Sequence, residues 1–395
     1  MELVFWISVA LIAYVYAGYP LILYYGSKLG LRKPQTALTG PKGGVSIVIA
    51  ARNEASRLAA RLDNLLSLRF PSTQRQIIVV SDGSTDETLD VLARYRRFVE
   101  VVQVPAGGKA LALNAGVARA RFDIVVFADA RQTFARDALC ELLAPFADRR
   151  VGAVTGELRL DAEMPCRRSG HERRHFGRRS EWREALYDRR GQERRRSSLR
   201  STIADGVGLY WKYEKQLRRL ESGIDSTLGA TGAIYAVRRA LYQPLPADTI
   251  LDDVLTPMRI VLAGYRVVFN EKALAFDRAS VNADAEARRK IRTLAGNYQI
   301  LALQPALLLP WRNRVWLQYV SHKIGRLIVP WALLAIFVSS TVLAGRPFYA
   351  LALACQVIFL LLAAAGAVLE FVSWRRESAE PAVSPAHDAA IRETA

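Results

Sequence analysis

The sequence predicts an α/β protein, a doubly wound and mostly parallel sheet with membrane-spanning and interfacial helices attached. Three observations carry that expectation. From Val45 to Phe127, apolar runs of strand length alternate with helical patterns, the order that buries a parallel sheet under helices on both faces. Three longer apolar segments, Leu3 to Tyr25, Leu327 to Ala344 and Phe348 to Val372, are of the length that crosses a hydrocarbon core of about 30 Å. The formal net charge of +18 among 395 residues asks for an anionic partner such as phosphates, lipid headgroups or nucleic acid.

The elements follow in order. The first apolar segment has no basic stretch before it, which reads as an anchor rather than a cleaved signal. Lys28, Arg32 and Lys33 follow it, and Arg375 and Arg376 follow the last segment. The positive-inside rule then places both flanks in the cytoplasm and Met1 outside. After a linker with Pro34, Gly40, Pro41, Gly43 and Gly44, VSIVIAA (Val45 to Ala51) is a strand. Glu54 to Leu68 has helical spacing, with Leu58, Leu62, Leu65 and Leu66 on one face. QIIVVSD (Gln76 to Asp82), Val99 to Val104 and Ile124 to Phe127 are further strands, separated by helices over Asp86 to Arg96 and Lys109 to Ala120. Ligands of such sheets gather beyond the carboxyl ends of the strands. Asn53, Glu54, Asp82, Asp86 and Asp129 all follow strand ends.

Arg167 to Ser198 breaks the pattern. About a dozen arginines stand there against a handful of carboxylates, with too few aliphatic residues to bury a core. It reads as an exposed insertion, either simply solvated or tethered to anionic lipid, a nucleotide or an acidic polymer. Pro310 to Arg326 mixes Trp311, Trp316 and Tyr319 with Arg312, Arg314, Lys323 and Arg326, the composition of a helix lying on headgroups. The cysteines Cys140, Cys166 and Cys355 have neither paired nor metal-ligand spacing, so no disulfide framework is implied. Nucleic acid is set aside, because the basic residues cluster at membrane flanks and in one insertion, without a recognition helix or aromatic strands.

Four polar stretches sit where a ligand would. ARNE (Ala51 to Glu54) closes the first strand. SDGSTDET (Ser81 to Thr88) closes the second, with Gly83 in the turn and Asp82 able to accept from the imide of a uracil or thymine ring. GGKALALNAG (Gly107 to Gly116) brings Lys109 and Asn114 to a helix start that favours anions. VVFADARQ (Val125 to Gln132) ends a buried strand on Asp129, Ala130 and Arg131. Two carboxylates one residue apart would clamp a metal on a diphosphate, but the second position is an arginine. Asp129 with donor oxygens and waters can still supply oxygen ligands to Mg2+. Arg131 is then left to neutralise phosphate or to pair with Asp129.

In this order, the motifs resemble family 2 of the inverting glycosyltransferases. LGATGAIYAVRR (Leu228 to Arg239) is similar to that family's acceptor-side segment, with Thr231 and Gly232. ILDDVLTPMRIVLAGYR (Ile250 to Arg266) resembles its Glu-Asp segment, and RRKIRT (Arg288 to Thr293) falls where polymerising members carry Q-R-x-R-W. With its spans, the chain resembles bacterial relatives of cellulose and hyaluronan synthases over roughly Tyr14 to Glu370. The resemblance implies a GT-A-type fold and a UDP-sugar donor. It places Ala51, Asn53, Glu54 and Asp82 on the uridine, Lys109 near the diphosphate, and Asp129 on a bridging Mg2+ or Mn2+, while Arg131 departs from the family's second carboxylate. It makes Asp253 the base that deprotonates an acceptor hydroxyl, Asp252 its neighbour shaping the site, and Arg292 the cation stabilising the leaving diphosphate. Thr293 replaces the tryptophan that stacks on a polymer acceptor, and Arg289 and Lys290 replace a Gln-Arg pair.

The implied organisation has a first transmembrane helix over 1–26, a linker over 27–44 and a nucleotide-sugar half over 45–166. The Arg-rich insertion spans 167–198, the acceptor half 199–300, an interfacial helix 301–326, two further spans 327–373 and a cytoplasmic tail 374–395. The expected function is sugar transfer to a polysaccharide, oligosaccharide or lipid hydroxyl by a multi-pass enzyme of the bacterial inner membrane, with a cytoplasmic catalytic domain and membrane lipids around it. Transfer of a single sugar to a polyprenyl phosphate or glycolipid is the alternative within enzymes. The other class is a catalytically silent nucleotide-binding subunit of an envelope-polysaccharide assembly, with other proteins as partners.

Overall fold

The computed structural model describes residues 1–28, 43–161, 210–278 and 283–379. The Arg-rich stretch 167–198, most of the linker 27–44 and the tail beyond 379 lie outside the described residues. The chain divides into two units, Gly18–Ile324 and a unit of Met1–Ala17 with Gly325–Ala395.

In the larger unit, strands β1 (Val45–Ala51), β2 (Arg75–Asp82), β3 (Glu100–Val104) and β4 (Ile124–Ala128) stand where the apolar runs predict them. They alternate with helices α3 (Ala55–Leu66), α4 (Thr88–Arg94) and α5 (Lys109–Ala118). The later elements are β5 (Thr133–Phe134), α6 (Ala138–Leu143), β6 (Val151–Asp161), α7 (residues 210–224), β7 (Ile234–Arg238), α8 (Asp252–Leu262), β8 (Arg266–Arg278) and α9 (Ala283–Leu303). All eight strands form one sheet in the order β3-β2-β1-β4-β7-β6-β8-β5.

The first four strands are parallel. That arrangement ends at β7, which lies between β4 and β6 and runs antiparallel to both. The sheet is therefore mixed, and the two halves expected from the sequence share it. Parallel neighbours need a crossover of a dozen or more residues on one face, whereas antiparallel ones do not. Leu58, Leu62 and Leu65 of α3, Leu92 of α4 and Leu139, Leu142 and Leu143 of α6 bury one face. Leu113 and Val117 of α5, Leu255, Met258 and Ile260 of α8 and Ile300 of α9 bury the other. Each apolar face removed from water contributes roughly 25 cal/mol per Å2, which is why both sides of the central strands are almost wholly aliphatic.

Three helices among the described residues are long and apolar enough to cross a membrane: Glu2–Lys28, Trp316–Val342 and Pro347–Gly366. The first comprises α1 (Glu2–Ala13), a π-turn at Tyr14–Gly18 and α2 (Tyr19–Lys28). The second begins eleven residues earlier than the apolar run suggests, with α10 (Trp316–Gln318) and a π-turn at Tyr319–Ile324 before α11 (Gly325–Val342). The third lies in α12 (Pro347–Ala379). Residues 301–326, expected as one interfacial helix, are divided among the end of α9, a short 3-10 turn at Pro305–Leu308 and this helical start. Asn313 explains the break: its side chain bonds Leu307 O and the Val315 amide, closing a turn of its own.

In the smaller unit α1 and α12 both pack on α11. Phe5 meets Tyr349 edge-on at 5.1 Å and Trp6 stacks on Phe348 at 5.6 Å. Glu2 pairs with Arg346, and Gln356 Nε2 donates to Ser340 Oγ at 3.1 Å. Leu351, Phe359, Leu360, Leu361 and Leu362 are exposed, an apolar surface too large for water and suited to lipid.

Candidate functional site

The site is built at the carboxyl ends of β1, β2 and β4. Lys109 is its centre. The Nζ lies 3.1 Å from Asp129 Oδ1 and 3.3 Å from Asp252 Oδ1, so one ammonium bridges the end of β4 and the first turn of α8. Burial works against its charge, but attraction to Asp252, then to Asp129 and Asp253, wins and holds Lys109 protonated well above its ordinary range.

Asp253 is the next residue along α8 and is only partly buried. Its Oδ2 accepts the Gly232 amide at 3.1 Å, and its backbone carbonyl accepts the Ala230 amide at 2.7 Å. A Cβ at position 232 would stand 3.0 Å from that carboxylate oxygen, which is why the acceptor-side motif has glycine there. Burial first, and then repulsion by Asp252, push Asp253 from 3.8 up to about 6, with Lys109 and Lys323 pulling the other way. A carboxylate so placed takes up a proton near neutral pH. Asp252 is held by the Tyr235 hydroxyl at 3.2 Å. Tyr235 is itself fully buried on β7 and stacked on Phe127 at 4.7 Å.

The loops around this triad are fastened by the motif residues. Asn53 has a left-handed backbone (φ 55°), and its Oδ1 accepts the Thr85 amide at 2.9 Å, tying ARNE to SDGSTD. Asp86 accepts from the Thr88 hydroxyl and from the amides of Thr88 and Ala55. The hydroxyl bond above all keeps it below the usual carboxylate range. It thus caps the first turns of α3 and α4. Glu54 offers its amide to Thr88 Oγ1 at 3.0 Å, and Ala51 is buried at the end of β1.

Several of the expected site residues have protein partners of their own. Asp82 is 3% exposed, and its oxygens accept the amides of Gly107 (2.7 Å) and Gly108 (3.0 Å). The carboxylate is turned inward, where it shapes the glycine loop at the start of α5. Gly83, at φ 58°, makes room for this: a Cβ there would meet the Ala106 backbone at 2.7 Å. Arg131 does not pair with Asp129. Its Nη2 lies 3.2 Å from Asp277 Oδ2, where Gln132 also donates at 3.0 Å, because β8 brings a carboxylate beside the loop that leaves β4. Arg292 is exposed on α9 and donates to Ile250 O at 3.1 Å, bracing the turn before Asp252. Thr231 accepts from Arg218 at 2.7 Å and gives its amide to Thr155 at 2.8 Å.

Sequence reasoning missed Arg61, Tyr235 and Lys323. Arg61 is 2% exposed beneath the Asp129 loop, with its guanidinium 4.1 Å over the Phe134 ring and Nη1 on Asn64 Oδ1 at 2.9 Å. Burial lowers it to about 9, against the attraction of Asp129. Its signal was a charge on the apolar face of α3, between Leu58 and Leu62. For Lys323 no local signal existed.

Among the described residues no group of three or more His, Cys, Asp or Glu side chains could hold a metal ion by itself. Asp129 offers one carboxylate, and Arg131 is drawn away from it. That donor set fits a hard cation that takes its remaining ligands from a diphosphate and water, not an ion caged by protein alone.

Residues 46–218 match the model of the family described as Glycosyl transferase family 2, and the chain carries a domain of that family. Poly-beta-1,6-N-acetyl-D-glucosamine synthase of Staphylococcus aureus (strain COL) is 32% identical over 121 residues, 30% of this chain and 29% of that protein. The synthase of the same name from Staphylococcus epidermidis matches to the same extent. The matched stretch thus spans less than a third of these curated relatives. A mannosyltransferase from Pyrobaculum calidifontis, solved in complex with GDP-Man and Mn2+, superposes with a TM-score of 0.58 at 22% identity. The superposition covers 91% of this chain and 98% of that one. The fold is accordingly of GT-A type, a curled mixed sheet between helices.

Proposed function

We propose that this family 2 domain works as a membrane-associated inverting glycosyltransferase, moving a sugar from a UDP-sugar to a hydroxyl of a glycan or lipid acceptor. The observation that carries the reading is Asp253. It is a partly reachable carboxylate with a raised proton affinity, aligned by the Gly232 amide and next to the ion-paired Lys109. A structural carboxylate gains nothing from such a setting, whereas a base acting near neutral pH requires it.

The steps follow from these groups. The donor diphosphate lies along the ends of β1, β2 and β4, its charge met by Lys109. A Mg2+ or Mn2+ held by Asp129 and diphosphate oxygens would supply further charge neutralisation. Asp253 accepts the proton of the acceptor hydroxyl as that oxygen attacks the anomeric carbon. The bond from that carbon to the diphosphate breaks, UDP departs with the electron pair, and an α-linked donor becomes a β-linked product. Tyr235 keeps Asp252 in place, so that Lys109 stays between the donor and the base. The partial match to synthases of a β-linked N-acetylglucosamine polymer supports a β product in polysaccharide synthesis. The basic flanks support a cytoplasmic sheet, with Met1 on the other side of the inner membrane.

The test is Asp253→Asn in the full chain, held in lipid nanodiscs and given a panel of UDP-sugars. Loss of UDP release with UDP binding retained supports the reading. Release at the wild-type rate overturns it.

A further inference from the structure

The loop that leaves β4 is held by a carboxylate that has no part in the steps above. Asp277 lies on β8, between β6 and β5 in the sheet, and its backbone is paired with Leu160 of β6. Thr133 stands opposite Phe276 and Phe134 opposite Ala275, a register that brings Gln132 opposite Asp277 when it is continued by one residue. The Asp277 side chain is 8% exposed. Its Oδ2 takes two donors from the loop, Gln132 Nε2 at 3.0 Å and Arg131 Nη2 at 3.2 Å. Gln132 is 1% exposed, and its buried Oε1 has no hydrogen-bond partner among the described residues, so its amide is committed to Asp277. A buried carboxylate is tolerated when it is paired and hydrogen-bonded, and here consecutive loop residues do both.

The same loop begins at Asp129, the only acidic residue between β4 and Phe134. Arg131 follows two residues later, at most about 7 Å along the chain. A loose guanidinium at that distance would pair with Asp129 and would repel any divalent cation bound there. Asp277 opposes both effects, because it neutralises Arg131 and draws it to β8. The Asp129 carboxylate is left with the ammonium of Lys109 at 3.1 Å, which Asp252 shares at 3.3 Å. The far end of the loop has a separate anchor. Asn64 of α3 accepts the Phe134 amide at 2.8 Å and donates to Phe134 O at 3.0 Å. Asp277 therefore sets where the charge of the loop goes, while Asn64 sets where its backbone ends.

We propose that Asp277 is a positioning residue for the donor site: by seating and neutralising Arg131, it keeps the Asp129 carboxylate open to the divalent cation of a donor diphosphate. A carboxylate from β8 thus offsets the positive charge that stands where the loop lacks a second acid. The inference rests on the reading that Asp129 is the carboxylate for the metal. Asp277 and Arg131 act through Asp129 and touch no reacting atom.

The experiment measures UDP binding by calorimetry for the full chain in nanodiscs, once with Mn2+ and once with chelator. The factor by which Mn2+ tightens UDP is the readout, and it needs no turnover. The proteins are wild type, Asp277→Asn, Arg131→Gln, the double variant Asp277→Asn/Arg131→Gln, and Asp129→Asn. Asp277→Asn leaves a positive charge unpaired and should reduce the factor about three- to tenfold. Arg131→Gln leaves a negative charge unpaired and should raise it. The double variant is neutral again and should return to the wild-type factor. An unreduced factor in Asp277→Asn, a factor in Arg131→Gln no higher than wild type, or a double variant as weak as Asp277→Asn overturns the inference. The last result is what a merely structural role of Asp277 would give. Asn can still accept the Gln132 amide, and if Asp277→Asn nevertheless fails to fold, Arg131→Gln decides the matter by raising the factor or not. Loss of the factor in Asp129→Asn beside an unchanged Asp277→Asn overturns this inference alone. A wild-type factor in Asp129→Asn overturns the metal reading of Asp129 and this inference with it.

Discussion

Replacing Asp253 by Asn should cost the protein its activity and raise its stability. The folded protein holds the Asp253 proton up to about pH 6, against an ordinary value of 3.8. The folded state therefore binds that proton more tightly than the unfolded chain does. Stability linked to this group is present below 3.8 and is lost as pH rises through 6. Two units at about 1.4 kcal/mol each come to about 3 kcal/mol at neutral pH. Asn has nearly the same shape, can still accept the Gly232 amide, and is free of the charge that burial and Asp252 penalise. In denaturant unfolding of the full chain, Asp253→Asn should exceed wild type by up to about 3 kcal/mol at neutral pH. The gap should close as pH falls below 3.8. A variant less stable than wild type at neutral pH, or a gap indifferent to pH, would refute the electrostatic account of this carboxylate.

Tyr235→Phe removes one buried hydroxyl from Asp252 and should cost about 1–3 kcal/mol in the same unfolding assay, while slowing UDP release. Unchanged stability would mean that the bond contributes nothing. Gly232→Ala sets a methyl group 3.0 Å from Asp253 Oδ2. It should lower kcat about tenfold or more with UDP affinity intact, and a fully active variant would show that the carboxylate has room to move. Asp129→Ala should weaken the response of turnover to Mg2+ or Mn2+. Full wild-type activity in chelator would remove the metal from the scheme.

Much of the first half of the sheet was legible in the residue order. Val45–Ala51 and Arg75–Asp82 are continuous apolar runs closed by polar turns, and strands buried on both faces leave that mark. The apolar stripe of α3 was equally plain, because helical periodicity is a local property. The roles of the motifs at the strand ends, and of Asp253 at the start of α8, came instead from the resemblance to family 2 glycosyltransferases. Other features are relations between distant segments. The antiparallel entry of β7 depends on which edge of β4 lies open when the chain returns. Arg131 faces Asp277 rather than Asp129 because β8 arrives beside it, and Asp82 turns inward because Gly107 and Gly108 present amides to it.

By itself the sequence determined the α/β class, the apolar helices and the residue types at the strand ends, all set by local periodicity and by the need to bury apolar surface. Only the tertiary structure decided which charges meet: Lys109 between Asp129 and Asp252, and His322 between two glutamates. Electrostatic partnership is a matter of distance and burial, and segments far apart in the sequence acquire both only when the chain folds.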